Sequence, residues 1–288
     1  NGVKVYHVDE KKITNADFNV TCFDFEKSKV HAILKDETGH IWLGIYQKGV
    51  LLIPAQTNNF NYIGYELLKN NTIGSNCIMS LLEDHKGVLW VGTDNDGLYA
   101  VSLDGRQYAH FTHKDEHSVS NTIMSLYEDS NKDLWVGSYL NGMAKLNRNT
   151  GRCEYVTDLA DEYGNPVQRV YAMVEDTGKQ LWIGTMGAGL FSMDLRTGKI
   201  TNRNKIDATG DEEGKNVLYN YWISSLLYDN EKIYIGTYDG LVCLDLKTNS
   251  YLSTFNADHK LTGTVVYSIL KDTDGNIWAG TSEGLACI

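Results

Sequence analysis

Residues 78–105 read IMSLLEDHKGVLWVGTDNDGLYAVSLDG, and five further copies of this pattern occur along the 288-residue chain. A Trp-x-Gly triplet, with Tyr for Trp in one copy, aligns the copies, and its glycines are Gly44, Gly92, Gly137, Gly184, Gly236 and Gly280. The spacing of 44 to 52 residues falls in the range of propeller blades and helical arrays. The repeats therefore begin near residues 30, 78, 123, 170, 223 and 266.

Each copy has the pattern of four short strands. An apolar run such as ISSLLYD is followed by a polar turn, a second run such as LWVGT, a glycine-containing turn and a third run such as GLYAVSL. A weaker fourth run carries an aromatic residue, as in YAHF at 108–111. Short strands joined by tight turns form an antiparallel meander. The sequence predicts an all-β fold, a β-propeller of four-stranded antiparallel blades, with a linear β-solenoid as the alternative.

A recurrent tryptophan explains how such sheets stack. It occupies the same place in five copies, at Trp42, Trp90, Trp135, Trp182 and Trp278, with Tyr234 in the fifth repeat. A single sheet cannot bury both of its faces, so each must pack on the next copy. Burial of one tryptophan removes about 150–250 Å² from water, worth at most about 4–6 kcal/mol. We predict that these tryptophans are structural.

The domain prediction is one β-propeller domain or segment over residues 1–288. Residues 1–29 are expected to supply the outer strands of a preceding or closing blade, because Gly2-Val3 matches Gly97-Leu98. The sixth copy contains no fourth strand. The number of blades stays open between six and seven, and a segment of a seven-bladed or longer propeller array is slightly favoured over closure with six blades.

Composition excludes several classes of function. A formal charge of −11 argues against a nucleic-acid groove, which needs clustered Lys and Arg. No apolar run approaches the roughly 18 residues of a membrane span. Five cysteines without a C-x-x-C motif indicate neither a disulfide framework nor a metal site, and we expect all five to be buried thiols. No cofactor is expected.

The stretch GTSEG at 280–284 fits the G-x-S-x-G pattern of hydrolase nucleophiles. A nucleophile elbow opens a helix, whereas this stretch is followed by the strand-like run GLACI. At the position of Ser282 the other repeats carry unrelated residues such as Gln47 and Asn95. The stretch is therefore interpreted as a repeat turn, and no catalytic residue is predicted.

The pattern I-x-x-[IL]-x-x-D-x-x-G-x-[IL]-W-[IVA]-G-T-x-x-x-G-L resembles the regulator-propeller repeat of two-component systems, over six copies in residues 30–288. That repeat builds the periplasmic sensor domain of hybrid histidine kinases in gut bacteria. The resemblance implies an extracytoplasmic segment of an inner-membrane sensor, without enzymatic activity of its own. It also implies two partners in the same protein, a second propeller and a β-sandwich domain, and an oligosaccharide ligand that regulates polysaccharide-utilisation genes. A quinoprotein dehydrogenase is disfavoured, because its adjacent cysteine pair is absent.

The candidate ligand site lies on loops. In a propeller the loops before the first strand and after the second gather on one face, and here they vary while the strands do not. Sugars are bound by aromatic faces beside amide, carboxylate and guanidinium groups. The predicted ligand-binding residues are Trp222, Tyr139, Asn141, Arg169, Tyr238 and Asn95.

Trp222 is the leading candidate among these residues. It stands outside the repeated tryptophan position, at the end of the insertion at 205–222, so the repeat fold does not require it. The same insertion could alternatively form a homodimer contact. For the chain as a whole, two further interpretations stay open: a protein-interaction scaffold and a glycan-cleaving propeller, which would need two carboxylates about 5 to 9 Å apart.

Overall fold

A computed structural model of the chain describes residues 3–15, 28–47, 49–53, 55, 73–74, 77–102, 107–206, 216–252, 255 and 261–288. Within these ranges every regular element is a β-strand, and the sheets fall into two compact units, Asn1–Thr72 and Ile73–Ile288. No helix with the length and apolar character of a membrane span is present in the described ranges.

The first unit contains two antiparallel sheets. The first is the hairpin of β1 (Lys4–His7) and β2 (Lys12–Asn15), which lies within the segment predicted to supply outer strands. The second joins, in order, β3 (Val30–Lys35), β4 (Ile41–Ile45) and β5 (Gly49–Ile53). Val3, Leu43, Ile45 and Ile53 form the buried core of this unit.

The second unit contains five antiparallel sheets, one for each repeat from the second to the sixth, and each is a meander in chain order. Repeat two comprises β6 (Ile78–Glu83), β7 (Leu89–Thr93), β8 (Leu98–Val101) and β9 (Gln107–Phe111). Repeat three comprises β10 (Ile123–Glu128), β11 (Leu134–Ser138), β12 (Met143–Leu146) and β13 (Cys153–Tyr155). Repeat four comprises β14 (Val170–Glu175), β15 (Gln180–Thr185), β16 (Leu190–Asp194) and β17 (Ile200–Asn202).

Repeat five comprises β18 (Ile223–Asp229), β19 (Lys232–Thr237), β20 (Gly240–Asp245) and β21 (Ser250–Tyr251). Repeat six comprises β22 (Val266–Lys271), β23 (Ile277–Thr281) and β24 (Gly284–Cys287). The first strands of consecutive sheets lie against one another from β6 through β22, as the inner strands of propeller blades do. The prediction of an all-β propeller fold with four-stranded antiparallel blades is confirmed.

Apolar clusters between consecutive sheets form the core of the second unit. Trp90, Trp135 and Trp182 are buried, and each shares a cluster with apolar residues of the next repeat. Between repeats five and six, Tyr234 takes the corresponding place. The predicted structural role of the repeated aromatic residue is confirmed at these positions, and each sheet is stabilised chiefly by its neighbour.

A carboxylate ties each of these tryptophans to its turn. In repeat four, Asp176 Oδ1 accepts the backbone N–H groups of Gly178 and Gln180 at 2.8 and 3.0 Å, while Oδ2 accepts the indole N–H of Trp182 at 2.8 Å. The same indole-to-carboxylate bond spans 2.7–2.9 Å in repeats one, two, three and six. The repeated aspartate is thus a turn residue with a second partner, the buried indole.

The cysteine prediction is partly wrong. Cys153 and Cys243 are buried, whereas Cys77 and Cys287 are exposed. Cys77 precedes the first strand of its sheet, and Cys287 follows Ala286 in β24 and so lies on the opposite, exposed face, since side chains alternate along a strand. Cys22 lies outside the described residues.

Candidate functional site

Three positions of each repeat come together at one edge of its sheet. We call them rim positions. The first rim position is the residue before the first strand, the second is the second residue of that strand, and the third is the residue after the second strand. The backbone N–H of the third rim position donates to the C=O of the first at 2.9–3.2 Å in all six repeats. The rim residues of repeats three to five are Thr122, Met124, Tyr139, Arg169, Tyr171, Met186, Trp222, Ser224 and Tyr238.

The second rim position is a β-bulge in every repeat. Pairing between the first two strands shifts there, for example between Val170 and Ala172 in repeat four, which leaves Tyr171 unpaired. Bulges re-aim a side chain relative to the regular alternation of the strand. The residue type at the bulge is therefore free to vary. The bulge residues of repeats one to six are His31, Met79, Met124, Tyr171, Ser224 and Tyr267.

A hydroxyl group fixes the turn that carries the third rim position. In repeat three, Ser138 Oγ donates to the Gly142 carbonyl at 3.0 Å and accepts the N–H of Asn141 at 2.9 Å. Gly142 adopts a φ of 67° and donates its N–H to Gln168 of the next repeat at 2.8 Å. The turn thus sets the position of one rim relative to the next. In repeat six the same role falls to Thr281, and Ser282 is an ordinary turn residue between β23 and β24.

Two of the predicted ligand-binding residues form a cation–π pair across a repeat boundary. The guanidinium carbon of Arg169, in repeat four, lies 5.0 Å from the ring centroid of Tyr139, in repeat three. The tyrosine side chain is 37% exposed and the arginine is half-buried. The pair presents a flat aromatic surface next to a charged group.

Two more predicted residues pair within repeat five. The rings of Trp222 and Tyr238 are 5.5 Å apart at an interplanar angle of 47°, and they are 48% and 38% exposed. A backbone bridge between Met186 and Trp222 attaches this pair to the rim of repeat four. The two aromatic pairs therefore lie along three consecutive repeats.

Tyr171 lies among these groups, although the sequence analysis did not select it. Burial raises the pKa of its hydroxyl, and the neighbouring Tyr139, Tyr238 and Asp94 raise it further, whereas Arg169 lowers it. These electrostatic contributions place the four groups within interaction range of one half-buried hydroxyl. When the repeats are aligned, the residue type at the second rim position differs from copy to copy. This variation is the signal that could have identified Tyr171.

A cavity of about 210 Å³ adjoins the cation–π pair, smaller than the roughly 300–1,000 Å³ of a pocket that encloses a drug-sized ligand. Arg169 and Met186 belong both to the rim and to its wall. The lining residues are Asp161, Pro166, Val167, Gln168, Arg169, Met186, Gly187 and Ala188. The rim and the cavity thus form one continuous surface in the second unit.

A small hairpin forms one side of this cavity. The backbone N–H of Asp161 donates to the Asn165 carbonyl at 2.9 Å, and the carboxylate of Asp161 accepts the N–H groups of Tyr163 and Asn165 at 2.9 and 2.8 Å. The hydrogen bonds from Asn165 hold the pKa of Asp161 below its usual value. Tyr163, at the tip, is 82% exposed. Burial raises the pKa of the nearby Tyr221 hydroxyl, and Glu162 and Tyr163 raise it further.

The two predicted asparagines lie apart from these ring pairs. Asn141 is exposed on the turn two residues after Tyr139. Asn95 is exposed on the turn of repeat two, with a φ of 74°. Asparagine is one of the residues that tolerates such a left-handed conformation, so the turn itself accounts for Asn95. Residues 207–215 of the predicted insertion lie outside the described ranges.

None of the pKa shifts resolved for carboxyl groups of the described residues is upward, and that of Asp161 is downward. Nor do the described ranges bring together three or more His, Cys, Asp or Glu side chains that could hold a metal ion.

Comparisons with known proteins agree with this geometry. The family model described as two component regulator propeller matches residues 72–95, 118–140 and 260–283, which fall in repeats two, three and six. Among curated protein sequences, none matches the chain.

Solved structures share the fold. The extracellular domain of the putative hybrid two-component system BT3049 from B. thetaiotaomicron has a TM-score of 0.73 and 25% identity, and the match covers 90% of this chain. The corresponding domain of BT4673 from the same organism has a TM-score of 0.64 and 23% identity over 100% of this chain. PorZ, a surface component of the type-IX secretion system of Porphyromonas gingivalis, has a TM-score of 0.60 and 19% identity over 90% of it.

This chain spans 33%, 39% and 38% of those three structures, respectively. Two of them are extracellular domains of two-component systems, and the extracytoplasmic location predicted for this chain agrees with theirs. The resemblance to two-component regulator propellers is thus confirmed by the family model in repeats two, three and six and by the similar fold of the solved structures.

Proposed function

We propose that this chain is the ligand-binding part of an extracytoplasmic sensor in a hybrid two-component system, and that it binds an oligosaccharide without cleaving it. The binding surface is the rim of repeats three to five with its adjoining cavity. Arg169, Tyr139, Trp222 and Tyr238 are the principal contacts, and Tyr171 supports them. Occupancy of this site would regulate genes for polysaccharide utilisation through other domains of the longer protein.

One observation carries this proposal: two exposed aromatic pairs lie in sequence along neighbouring repeats. The Arg169–Tyr139 pair and the Trp222–Tyr238 pair each present a ring to solvent, and Met186 links them. Large aromatic rings gain most from burial against an apolar surface, and the faces of sugar rings supply such a surface. Successive rings therefore suit a chain of sugars rather than a single small molecule.

Polar groups beside the rings support the same ligand class. A sugar hydroxyl leaves water without loss only when it finds a hydrogen-bond partner in the site. The Arg169 guanidinium and the Tyr171 hydroxyl supply donors and acceptors beside the rings, and the exposed Asn141 amide supplies more on the turn two residues after Tyr139. Asn95, one repeat away, is the outermost contact in this proposal.

Binding without cleavage is supported by the electrostatics of the surface. The Asp161 carboxylate in the cavity wall is held ionised by its own turn, which suits hydrogen bonding to hydroxyls and not proton donation to a leaving group. Regulator-propeller domains of two-component sensors also typically sense rather than catalyse. The same proposal includes two partner domains in the longer protein, a second propeller and a β-sandwich domain, and a homodimer.

A protein-interaction scaffold is the second candidate. Leu270 and Leu285 in repeat six are 65% and 64% exposed, and they would contribute to a protein contact if they belong to a contiguous apolar patch. The two functions differ in what they bind, so a sugar-binding assay separates them.

The test is the affinity of the Trp222→Ala variant for an oligosaccharide that binds the wild-type chain. Loss of a central ring is expected to weaken binding at least about 10-fold, or about 1.4 kcal/mol. The Leu285→Ala variant is the control, because it removes an exposed apolar side chain from repeat six. Unchanged affinity of a folded Trp222→Ala protein would contradict the proposed site.

A further inference from the structure

Arg169 differs from the other arginines that the structure describes. Each of the others donates to a protein oxygen: Arg148 to Glu128 at 2.7 Å, Arg152 to Asp115 at 3.1 Å, Arg196 to Asp194 at 2.9 Å and Arg203 to Ser192 at 2.9 Å. Within the described ranges, the guanidinium of Arg169 has neither a hydrogen-bond acceptor nor an ion-pair partner, and its contact is the ring of Tyr139. An arginine without an acceptor, next to a cavity, is available to a ligand.

The position of this guanidinium is nonetheless fixed. The Arg169 carbonyl accepts the N–H of Met186 at 3.0 Å, and the guanidinium lies over the Tyr139 ring. A cation–π contact uses the face of the guanidinium, whereas its N–H groups lie in its plane. The ring therefore restrains the side chain, and because Arg169 also lines the cavity, its N–H groups are available to a ligand bound there.

The acidic residue of the same cavity does not neutralise this charge. The oxygens of Asp161 accept the backbone N–H groups of Tyr163 and Asn165 and the side-chain amide of Asn165, the last at 3.0 Å to Oδ2. No ion pair joins Asp161 to Arg169 in the described part of the chain. The cavity thus contains a carboxylate engaged by its turn and a guanidinium with free donors.

A guanidinium with two parallel free N–H groups matches a carboxylate in bidentate geometry better than it matches a neutral hydroxyl. We propose that Arg169 binds the carboxylate of a uronic acid residue, so that the ligand of this site is an acidic oligosaccharide. The inference rests on the proposed function, since it names the sugar class for the same rim. The uronate occupies the cavity, and the adjoining sugars lie on the rings of Tyr139, Trp222 and Tyr238.

The experiment compares two probes of the same linkage by calorimetric titration: tetragalacturonic acid and its carboxyl-reduced, neutral counterpart. The wild-type chain is expected to bind the acidic probe about 10- to 100-fold more tightly, the range for a hydrogen bond to a charged group in a partly buried site. Raising the ionic strength should reduce this preference, because salt screens the ion pair.

Three variants locate the effect. Arg169→Gln should remove the preference by lowering the affinity for the acidic probe alone. Arg169→Lys keeps the charge but lacks the two parallel N–H donors, so it should retain part of the preference. Arg152→Gln is the control, since that exposed arginine pairs with Asp115 elsewhere on the second unit. Trp222→Ala should lower the affinity for both probes equally. Unchanged thermal unfolding midpoints establish that each variant is folded.

The outcomes separate this inference from the proposed function. Equal binding of the two probes, or an equal effect of Arg169→Gln on both, would overturn the uronate assignment while leaving oligosaccharide binding intact. Tighter binding of a sulfated neutral tetrasaccharide than of tetragalacturonic acid would overturn it in favour of a sulfate ester. If neither a charged nor a neutral oligosaccharide binds, both the inference and the proposed function are wrong.

Discussion

Replacing Asp176 by asparagine tests how the repeats hold their shape. In the native turn its two oxygens accept three N–H groups, two from the backbone of Gly178 and Gln180 and one from the indole of Trp182. Asparagine has the same size but offers one oxygen and one NH₂ group. Whichever way the amide is oriented, a donor then faces a donor.

The expected loss follows from burial. Trp182 is 3% exposed and Asp176 is 9% exposed, so water cannot easily replace the missing acceptor. Leaving a buried donor without its charged acceptor costs about 1.5–3 kcal/mol. We expect Asp176→Asn to lower the free energy of unfolding by about 1.5–3 kcal/mol, a sizeable share of the roughly 5–15 kcal/mol typical of a domain.

Urea unfolding followed by far-UV circular dichroism measures this loss, and hydrogen exchange of the Gly178 and Gln180 amides shows whether it begins at the turn. Asp272→Asn is the matched control in the same unit. Its partner Trp278 is only half-buried, so the same chemical change should cost less. A loss below about 0.5 kcal/mol for Asp176→Asn, or equal losses for both variants, would refute the reasoning.

Three further predictions follow from single positions. Gly189→Ala should destabilise more than Gly198→Ala in urea unfolding: both have positive φ, but a Cβ at Gly189 would lie 2.0 Å from an asparagine side-chain oxygen, whereas Gly198 has open space. Thiol alkylation at pH 8, followed by mass spectrometry, should modify exposed Cys77 and spare Cys153, because burial raises the pKa of the latter to about 11; equal labelling would contradict the burial. The indole N–H of its own repeat lowers the pKa of Asp272 to about 2. Its stabilising contribution is therefore complete above about pH 4 and is lost as the pH is lowered toward 2. The urea midpoint of Asp272→Asn should therefore fall less than that of the wild-type chain as the pH is lowered over this range.

The repeat pattern made most of the fold predictable. Once the copies were aligned, the strand order and the stacking role of Trp90, Trp135 and Trp182 followed from the need of each sheet to cover its faces. The partners of Arg169 and Trp222 were also among the residues selected, because rim positions recur at fixed places in the repeat.

Features that break the repeat were not predictable in the same way. Tyr171 sits at a bulge, where the alternation that assigns a strand residue to one face no longer applies. The hairpin around Asp161 belongs to one repeat, so alignment of the copies gives no information on its shape. Cys287 was misassigned because an apolar run does not reveal which of its residues face the next sheet.

The thermal unfolding midpoint of the wild-type chain, measured with a panel of neutral and acidic plant and host oligosaccharides, tests whether the rim is a sugar-binding site. Saturation at about 100 times the dissociation constant adds about 2.7 kcal/mol to the folded state, which raises the midpoint by several degrees. The proposed function predicts a selective rise with one sugar class and no cleavage product by chromatography. A flat panel from a well-folded sample, or a rise accompanied by product, would contradict it.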